Sequence, residues 1–79
     1  MQIDHILAPD ERLRLDGLGE QAIAVTYGVV YVALEDDDVV LMPGDSVVVA
    51  SGEPRRVWNA GDVTARLLVA DRIPLAAAA

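Results

Sequence analysis

The stretch PGDSVVVASGEPRRVWNAG, residues 43–61, decides the fold. Pro43-Gly44-Asp45 turns the chain, and the apolar run Val47 to Ala50 follows. Ser51-Gly52-Glu53-Pro54 turns it again, and the run Arg56 to Asn59 leads into Ala60-Gly61-Asp62. Short apolar runs bounded by Gly, Pro and Asp are the signature of antiparallel strands joined by tight turns. Gly44 and Gly52 stand where such turns need a positive φ. The valines suit a pleated surface, because β-branched side chains pack well there.

Outward from this stretch the same punctuation recurs. Upstream lie Leu13 to Leu15, ended by Asp16-Gly17 and Gly19, then Ala22 to Tyr27 and Val29 to Leu34. The acidic run Glu35 to Asp38 interrupts the pattern, and Val39 to Met42 resumes it. Downstream, Ala65 to Ala70 is the last run. About seven short strands at this spacing read as an all-β domain, a small antiparallel β-barrel or jelly-roll-type sandwich. No stretch repeats apolar residues at helical spacing for three turns. Asp10-Glu11-Arg12, after Pro9, has room for one turn at most. The domain is expected over residues 1–73. The Ala-rich tail, 74–79, is too short for a stable helix and is expected to fray or to pack as an arm.

Composition narrows the functional classes. The chain has 79 residues, 53% of them hydrophobic but only 4% aromatic, so a single thin core of Val, Leu, Ile and Ala is expected. Cysteine is absent, which excludes disulfides, thiolate zinc sites and a thiol nucleophile. Lysine is absent too, which excludes Schiff-base chemistry and a phosphate-binding Walker lysine. The net charge of −7 repels phosphate backbones, so neither nucleic acid nor an anionic membrane is an expected partner. No apolar run approaches the roughly eighteen residues that a membrane span requires. The N-terminal MQIDHILAPDERLRL carries early charges and no apolar signal region, so a cytoplasmic location is expected. The runs VVYVAL and SVVVA are apolar on both alternations, a pattern of strands covered on both faces. A second copy of the chain is the expected cover, making a homodimer.

The spacing in residues 43–61 resembles the second motif of the cupin family of small β-barrels, G-x5-P-x-G-x2-H-x3-N. Gly44, Gly52 and Asn59 match it in identity and position, while Ala50 stands for the proline and Arg55 for the histidine. The end of the first cupin motif, E-x6-G, is matched by Gln21 and Gly28, with Gln21 in the glutamate position. The resemblance covers roughly residues 12–72. It implies a cupin-like barrel whose metal-binding histidines are lost, since Arg14, Leu15, Asp16 and Gly17 occupy the region of the upstream histidine pair. A guanidinium would repel a cation and an amide is a weak ligand, so no metal and no cofactor are expected.

The resemblance also implies that Arg55 points into the barrel, where a buried charge must be paired. Two readings stay open. In one, Arg55 is bound internally, to Asp16 or Glu20 or to Gln21. In the other, its planar fork anchors a small anionic or polar ligand. The candidate ligand-facing set is Arg55, Gln21, Tyr27, Asn59 and Trp58. Tyr27 shares strand parity with Gln21 provided that no bulge intervenes, and Asn59 shares parity with Arg55. Trp58 and the tyrosines also fit core or interface positions. Glu35 to Asp38 lacks the calcium-loop pattern and reads as a solvated hairpin tip. His5 has no nucleophile tied to it and reads as a surface histidine.

Three functions remain. The first is a metal-free, dimeric, non-enzymatic domain that binds a small molecule or another protein. The second is a metal-independent isomerase, epimerase or lyase of a small polar substrate, using Tyr27, Tyr31, Asp16 or Glu20 as acid or base beside Arg55. The third is a structural subunit of a larger assembly.

Overall fold

A computed structural model describes residues 2–15, 19–35, 37–52 and 55–71. The described residues form eight strands and no helix: β1 Gln2–Leu7, β2 Arg12–Arg14, β3 Gln21–Tyr27, β4 Val30–Ala33, β5 Asp38–Leu41, β6 Ser46–Val49, β7 Arg56–Trp58 and β8 Ala65–Asp71. They build two four-stranded antiparallel sheets, ordered β1-β8-β3-β6 and β2-β7-β4-β5. The two sheets enclose one core, in which Ile23, Val30, Val32, Val49, Val57 and Leu67 are each 0% exposed. The seven strands read from the sequence are all present, and each end lies within one residue of its expected place. The tail 74–79 falls outside the described residues.

One strand escapes the sequence pattern. β1 pairs with β8 from Gln2↔Ala70 to Leu7↔Ala65. It is an edge strand in which only Leu7 is buried, so Asp4 and Ile6 remain outside and blur the alternation. Between β1 and β2 the chain turns rather than coils. Asp10 adopts a positive φ of 66°, and the Glu11 N–H donates to the Ala8 carbonyl at 3.0 Å. The Glu11 carboxylate accepts from the Ala8 N–H at 2.8 Å, closing the turn from the other side. Arg12 then opens β2.

Strand alternation sorts side chains into an interior and two outer faces. In β3, Gln21, Ile23 and Val25 face inward and Ala22 and Ala24 outward. A bulge between Val25 and Tyr27, in the pairing with β8, then breaks this order. In β7 the inward residue is Val57, flanked in sequence by the buried Arg55 and Asn59, while Arg56 and Trp58 point outward.

Gly44 and Gly52 take the positive φ expected of them, at 93° and 79°. Gly28, which ends the β3 turn, is under a stricter constraint. Its φ is 78°, and a Cβ there would stand 2.9 Å from both the Ala65 Cα and the Thr64 carbonyl oxygen. Gly28→Ala should therefore cost about 2–3 kcal/mol, through backbone strain and a clash with an inflexible neighbour. For a domain of this size that lowers Tm by on the order of 10–20 °C. Gly44 has no heavy atom near that position, so Gly44→Ala should cost distinctly less. Thermal unfolding of the two variants tests the ranking, and an equal or reversed order would contradict it.

Candidate functional site

The barrel interior holds an arginine. Arg55 is 2% exposed, just before β7, and Gln21, the first residue of β3, is 8% exposed. Among the bonds that hold the guanidinium, Nη1 donates to Gln21 Oε1 at 2.6 Å and to the Gly19 carbonyl at 3.1 Å. Nη2 donates to the Ala50 carbonyl at 2.9 Å. The other end of the Gln21 amide, Nε2, donates to Asp71 Oδ1 at 3.0 Å. The amide thus links a buried cation to a carboxylate on the surface of β8. Its dipole is oriented by both contacts, oxygen toward the guanidinium and nitrogen toward the carboxylate.

Asn59 is also buried, but away from this network, and it is occupied by the chain's own backbone. Its Nδ2 donates to the carbonyls of Leu7, at 3.0 Å, and Val63, at 2.8 Å. Its Oδ1 accepts from the Gly61 N–H at 3.1 Å. Its backbone pairs with the β1–β2 turn through Asp10 and Glu11. One side chain therefore ties the end of β1 to the loop before β8.

Tyr27 and Trp58 do not join Arg55. The bulge after Val25 turns Tyr27 to solvent, where it is 60% exposed. Trp58 lies on the outer face of the second sheet. There it meets Tyr31 edge to face, at 6.2 Å between ring centroids, and sits under the Arg12 guanidinium at 4.8 Å. The structure therefore brings together Arg55 and Gln21, places Asn59 apart from them at the start of β8, and turns Tyr27 and Trp58 outward. Asp16 lies outside the described residues. Tyr31 donates its hydroxyl to Asp38 Oδ2 at 2.7 Å. That bond, with some burial and the nearby negative charge, holds the phenol above its ordinary range. A phenol stabilised in its neutral form is poorly placed to act as a base near neutral pH.

The donor set does not suit a divalent cation. The position facing the barrel centre carries a permanent positive charge, and the Gln21 oxygen already accepts from it. Among the described residues no three His, Cys, Asp or Glu side chains gather.

Removing one partner of this network strands the others. Arg55→Met and Gln21→Leu should each cost about 2–4 kcal/mol, because buried acceptors or a buried charge lose their complement. The double variant should cost at least about 1 kcal/mol less than the two costs combined, as coupled neighbours do. Urea unfolding measures all three, and strict additivity would show that the two side chains do not depend on each other.

Residues 18–71 match the family model described as the cupin domain. A chain in the crystal structure of Drosophila melanogaster CENP-C bound to CAL1 superposes with a TM-score of 0.80 at 20% identity, covering 91% of this chain and 64% of that one. The cupin domain of an XRE-family transcriptional regulator from Enterobacter cloacae gives 0.81 at 18% identity, covering 92% and 80%. A de novo designed double-stranded β-helix gives 0.79 at 15% identity, covering 91% and 99%. At these identities the likeness is one of fold, and this chain spans under two thirds of the CENP-C-complex chain it matches. No curated protein matches it. With two antiparallel sheets around one core and the motif spacing of Gly28, Gly44, Gly52 and Asn59 in place, the chain belongs to the cupin domain family.

Proposed function

We propose that this chain is a metal-free, non-enzymatic cupin domain that works by protein interaction and is itself a homodimer. The observation that carries the reading is the buried Arg55 guanidinium, whose donors engage Gln21, Gly19 and Ala50 within the chain. Polar groups bonded in this way are turned on one another rather than toward a substrate. Two of the four acid or base candidates of the enzymatic alternative lie elsewhere, Tyr27 in solvent and Tyr31 on an outer face bound to Asp38. Two of the structural neighbours serve such contexts, one seen bound to a second protein and one a domain of a transcriptional regulator.

The dimer is assigned to the outer face of the sheet β1-β8-β3-β6. Small apolar side chains sit side by side there, Ala22 opposite Ala70 and Val48, and Ala24 opposite Leu68. Val48 is 47% exposed at one side, and the Asp4–Arg66 ion pair lies at the other. The Arg66 guanidinium, bonding Asp4, holds that carboxyl below its ordinary range. An apolar sheet face favours packing by a second sheet, at roughly 10 Å between sheets.

Sedimentation equilibrium should return a dimer, and Val48→Glu should shift it to monomer without loss of strand content in circular dichroism. Calorimetric titration with Zn²⁺, Mn²⁺ and Fe²⁺ should show no stoichiometric binding. A wild-type monomer would sink the dimer, and a tight one-to-one metal complex would overturn the metal-free reading.

A further inference from the structure

The second sheet carries a basic aromatic trough that the barrel interior does not explain. On the outer face of β2-β7-β4-β5, register places Arg12 beside Trp58 and Trp58 beside Tyr31 in one row. The next row sets Arg14 beside Arg56 and Arg56 beside Ala33. These six residues line a groove of about 380 Å³. A second groove, of about 300 Å³, shares Ala33 and Arg56 and runs on to Glu35. Three of the chain's six basic residues are thus gathered on one face of a protein whose net charge is −7. Of the others, Arg55 is buried and Arg66 is paired with Asp4. Arg12, Arg14 and Arg56 are exposed, and among the described residues no carboxylate bonds to any of them.

Resting on the interaction-domain reading above, we propose that this trough docks an extended acidic peptide segment of a partner protein. Charge complementarity names the occupant. Three guanidinium forks offer bidentate bonds to carboxylates, and Trp58 and Tyr31 supply apolar surface between them. The local cluster attracts short acidic segments, while the negative charge of the rest of the molecule repels long polyanions. Extended conformation follows from β2. It is an edge strand, paired only with β7 among the described residues. Leu15 N–H donates to the Arg55 carbonyl and Asn59 N–H to the Glu11 carbonyl. Alternation therefore turns the backbone groups of Arg12 and Arg14 toward the open edge, where a strand can add. The Trp58 indole N–H is buried without an acceptor among the described residues, a deficit that a carboxylate of the segment would relieve after a small ring rotation. Glu35 and Asp38 close the far end, so the acidic side chains of the segment lie over β2 and β7.

Trp58 is the only tryptophan, so its emission reports the trough directly. The full chain is titrated with a short oligoglutamate peptide, with oligolysine and oligoglutamine of equal length as controls. Oligoglutamate alone should shift the emission, with an affinity that falls as salt rises. The double variant Arg14→Glu/Arg56→Glu should bind about tenfold or more weakly with its circular dichroism unchanged. An unchanged emission, or binding indifferent to Arg14 and Arg56, overturns the proposal. Equal binding of inorganic phosphate or duplex DNA through the same arginines overturns it in favour of a general anion site. Dissociation of the native dimer by Arg14→Glu/Arg56→Glu overturns it in favour of a second copy. Binding that survives that double variant but is lost in folded Arg55→Met places the ligand inside the barrel and sinks the interaction-domain reading as well. Loss of peptide binding alone, with the dimer intact and no metal bound, leaves that reading standing.

Discussion

The Arg55 guanidinium cannot shed its charge, so its burial obliges the barrel interior to supply acceptors. Gln21 at the head of β3 gives an amide oxygen, and the backbone at Gly19 and Ala50 gives two carbonyls. These come from the segment before β3 and from the end of β6, so the cation fastens together chain segments distant in sequence. Through Gln21 the constraint reaches Asp71 at the end of β8. The first sheet contributes β3, β6 and β8 to this network, and Arg55 enters it from the head of β7 in the second. A polar network that crosses the core fixes the relative placement of the two sheets, provided that every member is satisfied.

Around that centre the valine-rich strands do ordinary work. Alternation gives the core its Val, Ile and Leu and leaves two contrasting outer faces. One is lined by Ala22, Ala24, Leu68, Ala70 and Val48, and the other by arginines around Trp58 and Tyr31. The first is apolar, while the second carries charge and a groove. On the proposed reading, function falls to these surfaces. Asn59 and Gly28 maintain the geometry between them, one by bonding three backbone groups and the other by letting the β3 turn approach Thr64 and Ala65.

Much of this was legible from residues 43–61 and their neighbours. Turn residues and Val-rich runs located seven strands, because punctuation and β-branched side chains act locally. The spacing of Gly28, Gly44, Gly52 and Asn59 carried the family. Strand parity put Arg55, Val57 and Asn59 on one face and Arg56 on the other, since a side-chain period of two survives wherever pairing is regular. It failed for Tyr27, because a bulge is a property of two paired strands and leaves no mark in one of them. β1 was missed for a related reason: an edge strand buries so little that its composition is free to include Asp4, His5 and Ile6. The trough around Trp58 was illegible because Arg12, Arg14, Arg56 and Tyr31 meet only through the register of β2, β7 and β4. Their separation in sequence says nothing of that register.

Nitrogen-15 NMR of the Arg55 side chain reads directly whether an internally bonded guanidinium occupies the position facing the barrel centre. It should show separate, slowly exchanging Nη resonances that do not move when Zn²⁺ or a small dicarboxylate is added. A single averaged Nη signal that exchanges rapidly with water, or one that shifts on addition of either probe, would contradict that internal bonding.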